Sequence, residues 1–267
     1  MEKSTERKGN RLAHGKIFFS VLPVIALVGL FSQELQGEVK SKRLLLFHFD
    51  KIEVRGAASV FIEPGKRNRE IEYFADSSII EDIHVEVRNR TLHIDANNTL
   101  SLSRRIPLIR FSAQRVFPVE VIVSAIKVDE ILLLDQSNLT AQSLSGERLK
   151  LFSNSTGTLQ TINCKHKNIE IRQEGSGNII LKGRNTLDLE AKVYGSGSLE
   201  GGELFIDRAK VSHWGSGQVL LAPTKWLDLK LHGSGNFHLL EKPAGMVVDQ
   251  GNAGGRMVPL YEGNPQD

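Results

Sequence analysis

The tripeptide Gly-Ser-Gly stands at Gly175–Gly177, Gly195–Gly197, Gly215–Gly217 and Gly233–Gly235, in steps of 20, 20 and 18 residues. Nothing else in the chain limits its fold so tightly. A short motif at a fixed interval marks one structural unit laid repeatedly against copies of itself. Twenty residues before the first copy lies Ser-Thr-Gly, at Ser155–Gly157, and twenty earlier Asp-Gln-Ser, at Asp135–Ser137. Twenty residues past the last lies Ala-Gly-Gly, at Ala253–Gly255. The motif is sharp in the centre and decays towards both ends, as expected when terminal units serve as caps.

The flanking residues specify strands. Before Gly195, Leu187, Leu189, Ala191 and Val193 alternate with Asp188, Glu190, Lys192 and Tyr194; before Gly233, Leu227, Leu229 and Leu231 alternate in the same way. A period of two means a strand with one buried face. After each corner a polar residue precedes an apolar one: Asn178-Ile179, Ser198-Leu199, Gln218-Val219 and Asn236-Phe237. A unit of two short strands cannot bury its apolar face alone. Stacked on its neighbours about 4.8 Å apart, it pairs every backbone group and lines up like positions. The expectation is an all-β chain forming a β-solenoid, a parallel β-helix, with 20-residue coils and glycine corners at Gly175, Gly177, Gly195, Gly197, Gly215, Gly217, Gly233 and Gly235. Stacked antiparallel hairpins are the competing geometry. Glycine is needed at such corners for a positive φ or because no room is left for Cβ.

The same pattern excludes a phosphate-binding loop. A G-x-G-x-x-G motif would need glycine at Ile180, Glu200, Leu220 or His238. Upstream, strands are expected at Lys51–Arg55, Ser59–Glu63, Glu70–Ala75, His84–Arg88 and Thr91–Asp95, with irregular chain over 97–117 around the basic Arg104–Arg110. The expected organisation is an N-terminal segment over 1–37, a β lobe over 44–134 and solenoid repeats over 135–257, with 44–257 one continuous domain as the alternative.

Residues 1–37 run from a basic stretch into apolar Ile17–Phe31 and then polar chain, the pattern of an export signal. Fifteen residues of helix reach only about 23 Å, short of a hydrocarbon core of roughly 30 Å. A cleaved signal is favoured over an uncleaved helical membrane anchor, and both put the remainder outside the cytoplasm, in the periplasm or cell envelope of a bacterium. Net charge is +3, with much of the excess near the N-terminus, which gives no reason to expect nucleic acid. Cys164 is the sole cysteine, so no intramolecular disulfide is possible; a small buried hydrophobe is its expected role.

Taken together, Phe49, Ile52, Val54, Gly56, Val60, Ile62 and Gly65, then Leu92–Ile94, then the Gly-Ser-Gly corners closing in "GSGNFHLLEKPAG" resemble the "putative auto-transporter adhesin" head, or GIN, domain family of exported bacterial proteins. The resemblance spans roughly residues 47–255. It implies an all-β, solenoid-like fold outside the cytoplasmic membrane and, through the family name, adhesion.

No catalytic constellation is found. Outward positions stack into rows, Glu170, Glu190, Lys210 and Asp228 in one and Arg172, Lys192, Ser212 and Lys230 in another. Sign alternation between them reads as cross-strand charge pairing, and interleaved lysine is wrong for a cation site; neither a metal nor a cofactor is expected. The eight histidines show no ligand spacing. The serines Ser176, Ser196, Ser216 and Ser234 read as a hydroxyl ladder along the turn. One row is more suggestive: Tyr194, Trp214 and His232 immediately precede successive corners. Stacked coils would set them about 5 Å apart, an aromatic ridge suited to gripping a glycan or an envelope protein, unless the rings merely stack on each other or are covered by the C-terminal tail. The expectation is a non-enzymatic binding, adhesion-type or scaffold module. The alternatives are a self-associating envelope polymer and a carbohydrate-active β-helix enzyme.

Overall fold

The computed structural model describes residues 38–65, 68–96, 98–106 and 109–261. The N-terminal signal or anchor segment and the polar end of the chain lie outside the described residues. Every regular element described is a strand: β1 Val39–Leu45, β2 Lys51–Gly56, β3 Ala58–Pro64, β4 Glu70–Asp76, β5 Ile83–Arg88, β6 Thr91–Ala96, β7 Thr99–Ile106, β8 Ile109–Val116, β9 Val119–Ala125, β10 Glu130–Asp135, β11 Asn138–Gln142, β12 Ser145–Ser155, β13 Leu159–Gln173, β14 Ile179–Val193, β15 Leu199–His213, β16 Val219–Leu231, β17 Phe237–Leu239, β18 Gly245–Gln250 and β19 Met257–Pro259.

The repeats pair in parallel, one coil on the next. Ile169 opposes Leu189, which opposes Ala209, which opposes Leu227, and on the other face Leu159, Ile179, Leu199 and Val219 follow one another. The result is a parallel β-solenoid of about six turns with 20-residue coil spacing. The competing hairpin geometry is ruled out by this register. Alternate residues from both faces point inward and are almost fully buried, forming one apolar core from Phe49 to Leu239. At roughly 25 cal/mol per Å² of apolar surface removed from water, this continuous core is the main force holding the coils together.

Each corner is a column of stacked glycines. A Cβ on Gly177 would lie 1.8 Å from Gly157 O, and one on Gly197 would lie 1.9 Å from Gly177 O. Positive φ at glycine occurs, among the described residues, only at Gly56 and Gly254. Of the two physical reasons for glycine at these corners, the close approach of the coil beneath is therefore the operative one. Asparagines after the corner lock successive coils: Asn138, Asn178 and Asn236 each accept, on Oδ1, the backbone N–H of the residue twenty positions on, at Thr158, Ser198 and Arg256. The second bend of the coil uses Ser143, Asn163 and Asn185, with φ of 54°, 55° and 66°. Short polar side chains tolerate that left-handed geometry.

The corner serines Ser176, Ser196, Ser216 and Ser234 are exposed. The hydroxyl contacts that join coils run inside the bend instead: Ser155 Oγ donates to Ser137 O, and Ser137 Oγ to Gly56 O. Further along the interior, Gln173 Nε2 donates to Gly177 O at 2.7 Å and His213 Nε2 meets Gly217 O at 2.9 Å.

The strands of 44–134 join the same ladder. β10 pairs in parallel with β2, and β11 with β3. β2 in turn pairs with β6, and β3 with β9, so the coil made of β6 and β9 lies beneath the coil that precedes it in sequence. Antiparallel strands finish this end: β5 on β6, β4 on β9 and β1 on β4. The stretch read as irregular holds the antiparallel hairpin β7–β8. It pairs only with itself, among the described residues, between β6 and β9 at the corner where glycine stands in later coils. There Asn98 substitutes for the glycine motif: Nδ2 donates to Ala57 O and Phe117 O, and Oδ1 accepts from Ala57 N.

Candidate functional site

The outer surface beside the corner carries the aromatic column. Tyr194, Trp214 and His232 each follow the last residue of a strand, and their backbone N–H groups donate to Gln173 O, Val193 O and His213 O of the coil beneath. Stacking of the backbone thus dictates stacking of the side chains. The Tyr194 and Trp214 rings lie 5.0 Å apart between centroids, inclined by 5°. Both remain exposed, at 43% and 44%, so the stack is not part of the core. Arg172 covers the far face of Tyr194, its Cζ 5.4 Å from the ring centroid, and is itself held by Glu174. That cation lies where the ring quadrupole favours it.

His232 continues the column but is engaged differently: its Nε2 lies 3.2 Å from Asp249 Oδ2 of the following coil, and the column ends on Gly251, on which a Cβ would collide with the His232 ring. The ridge is thus a stacked pair, capped by an ion pair at one end and continued by a carboxylate-bound imidazole at the other. Trp226 is separate. It stands opposite Arg208 and Gly245 near the start of its strand's outer row.

The outward charges are paired as the alternating rows suggest. Lys150 bridges to Glu170 and Arg208 makes two bonds to Asp188, both across coils; Lys192 to Glu190 runs along one strand. Such exposed pairs are worth at most about 1 kcal/mol each. Among the described residues no group of three or more His, Cys, Asp or Glu is placed to hold a metal ion. Cys164 is buried, its Sγ 3.1 Å from His166 Nδ1, and burial pushes its thiol up to about 11. Burial also holds His166 and His213 below the ordinary histidine range.

Sequence reasoning missed two features of this surface. Arg172, read only as one charge in a row, is the cap of the aromatic stack. A polar groove of about 650 Å³ on β2, β5 and β6 gathers Glu53, Arg55, His84, Glu86, Arg88 and His93, residues whose spacing in sequence gave no hint of a cluster. Only the unexpected β2–β6 pairing brings them together.

The sequence pattern of the family described as "Putative auto-transporter adhesin, head GIN domain" matches residues 48–243. The chain belongs to this family. Among curated proteins none matches it. Solved structures share the GIN-domain fold at low identity. A "putative adhesin" from Bacteroides fragilis is 15% identical with a TM-score of 0.71, covering 83% of this chain and 97% of its own. A "putative lipid binding protein" from Parabacteroides distasonis is 18% identical with a TM-score of 0.61, over 83% and 97%. A "putative adhesin" from the same species is 16% identical with a TM-score of 0.56, over 84% and 97%. At such identity the likeness carries the fold alone. The family and these neighbours are described by adhesion or lipid binding, and none of them as an enzyme.

Proposed function

We propose that this GIN-domain protein is an exported, non-catalytic adhesion-type module of the bacterial envelope, delivered by its N-terminal segment and acting through the Tyr194–Trp214–His232 ridge. Membership of an adhesin family supports export and adhesion. The observation that carries the ridge is the exposed, parallel Tyr194–Trp214 stack. A solenoid could have placed charge here, as it does in the neighbouring rows, yet it keeps two large rings in water. Because the rings hold each other, they lose little side-chain freedom on binding, which lowers the cost of association. Their faces point along the solenoid axis. What they offer a partner is therefore a row of apolar edges with the tyrosine hydroxyl and indole N–H as donors, suited to a glycan chain lying along the coils.

The test is a glycan array probed with residues 38–267 beside a Trp214→Ala variant. The stack itself is worth about 0.5–1.5 kcal/mol, so the variant should stay folded with a similar melting temperature. Glycan retention by the parent and a drop of tenfold or more in the variant is the expected result. Equal binding by both proteins would overturn the ridge as the site, and absence of binding would direct the search to protein partners.

A further inference from the structure

The two ends of the solenoid are finished differently. At the N-terminal end the outermost strands are β1, which carries Lys40, Lys42 and Arg43, and β5, which carries His84, Glu86 and Arg88. Such charges on an edge strand keep it from pairing with another chain. At the C-terminal end the last coil is β18 and β19, paired to β16 and β17 and, among the described residues, to no further strand. β19 is blunted by Pro259, which has no N–H to offer. β18 has no lysine, arginine or proline, and its one charge is Asp249.

Its apolar content is out of place for a terminal strand. Met246 and Val248, opposite Leu227 and Leu229 of the core, are 41% and 36% exposed because no described residue lies above them. Val247 points the other way and is 54% exposed. It ends an outer column that from β2 onwards reads Lys51, Glu130, Lys150, Glu170, Glu190, Lys210 and Asp228. Valine at the end of seven charged positions gains nothing from the coil beneath it.

We propose that β18 is the contact edge of a tail-to-tail homodimer, pairing antiparallel with β18 of a second copy of this chain about a two-fold axis through Val247. The backbone permits this register. Gly251 N–H donates to Leu231 O, so strand alternation turns the N–H and C=O groups of Met246 and Val248 towards the open edge. A two-fold through Val247 sets Met246 of each copy against Val248 of the other as hydrogen-bonded pairs. The two inner faces then meet as one core, and Val247 packs on Val247 in the non-bonded pair. Asp249 falls opposite Gly245, so no like charges oppose each other. A shift of the axis to Asp249 would set two carboxylates face to face. Because both copies use the same edge and the other ends carry charge, the assembly closes at two and does not grow into a polymer.

The experiment uses the full chain in mild detergent. Directly opposed residues have Cβ atoms about 4.5–5.5 Å apart, close to disulfide reach, whereas Asp249 and its symmetry mate would be roughly 13 Å apart along the strands. Val247→Cys should therefore give a disulfide-linked dimer on mild oxidation, and Asp249→Cys should not; the parent, whose thiol is the buried Cys164, is the control. Sedimentation should give twice the chain mass for the parent and the single mass for Val247→Lys, with an unchanged circular dichroism spectrum since the side chain is on the surface. A monomeric parent, equal cross-linking at 247 and 249, or a dimer that survives Val247→Lys would each overturn the proposal. So would a dimer seen only after deletion of residues 262–267, which would make that segment the occupant of the edge.

Discussion

Replacing Gly217 by alanine separates two explanations of the glycine corners. If glycine served only to free the backbone, alanine would be harmless here, because φ at Gly217 is not in the left-handed region. Alanine would then stabilise by about 0.4–1 kcal/mol through the unfolded chain. The stacked corner gives the opposite sign. A Cβ on Gly217 would sit 1.9 Å from Gly197 O and 2.9 Å from Ser196 O, so the two coils must part by an ångström or more. Separation stretches the bonds that Ser216 N–H and Gly217 N–H donate to Gly195 O of the coil beneath, and leaving such buried backbone groups unmade costs about 1–3 kcal/mol. The overpacking adds a further ~1–3 kcal/mol. The expected loss is about 2–6 kcal/mol, or on the order of 10 °C in melting temperature. Urea denaturation followed by circular dichroism measures it, with Ser216→Ala, an exposed neighbour in the same corner, expected within about 0.5 kcal/mol of the parent. A Gly217→Ala protein as stable as the parent would refute the steric account.

Acid should weaken the fold through two buried imidazoles. Burial holds His166 and His213 below their ordinary value, so below the ordinary histidine pKa of about 6.5 the unfolded chain binds protons that the native state refuses, and stability falls as pH drops through that region. His213→Gln should keep the corner bond, as Gln173 does two coils earlier, and flatten the pH dependence of the urea midpoint between pH 7 and 5. Cys164, buried and with its thiol at about 11, should resist a thiol reagent at pH 8 in the native protein and react at once in urea. Asn98→Ala removes three hydrogen bonds from a buried corner and should cost roughly 2–4 kcal/mol, visible as a lower urea midpoint.

The solenoid was legible because its two determinants repeat: small residues at the corner and alternation between corners. Where structure does not repeat in sequence, reading failed. The second bend is made by Ser143, Asn163 and Asn185, residues of different type at steps of 20 and 22, and no motif announces them. The placement of β6 and β9 beneath β2 and β3 has no counterpart in spacing, since the interval from Gly56 to Asp135 contains a lobe and a hairpin. The hairpin β7–β8 escaped notice because it pairs with itself and joins no longer pattern. At the ridge, column position alone identified Tyr194 and Trp214 as neighbours. The Arg172 cap and the His232–Asp249 contact depend on side-chain directions that a row of letters does not carry.

The inverted order of the first coils also sets a timetable. β2 and β3 emerge before their partners: the coil beneath them ends at Ala125 and the coil above at Gln142. The opening coil therefore waits some sixty further residues for its lower edge to be covered and some eighty for its upper one. Each Gly-Ser-Gly coil, by contrast, needs only the twenty residues that follow it. Local closure is fast and long-range closure slow, so nucleation falls to the regular coils, and the N-terminal end is the last to be sealed. A chain stalled part-way through folding would expose the apolar faces of β2 and β3 for the longest time, and these are the segments a chaperone would have to hold.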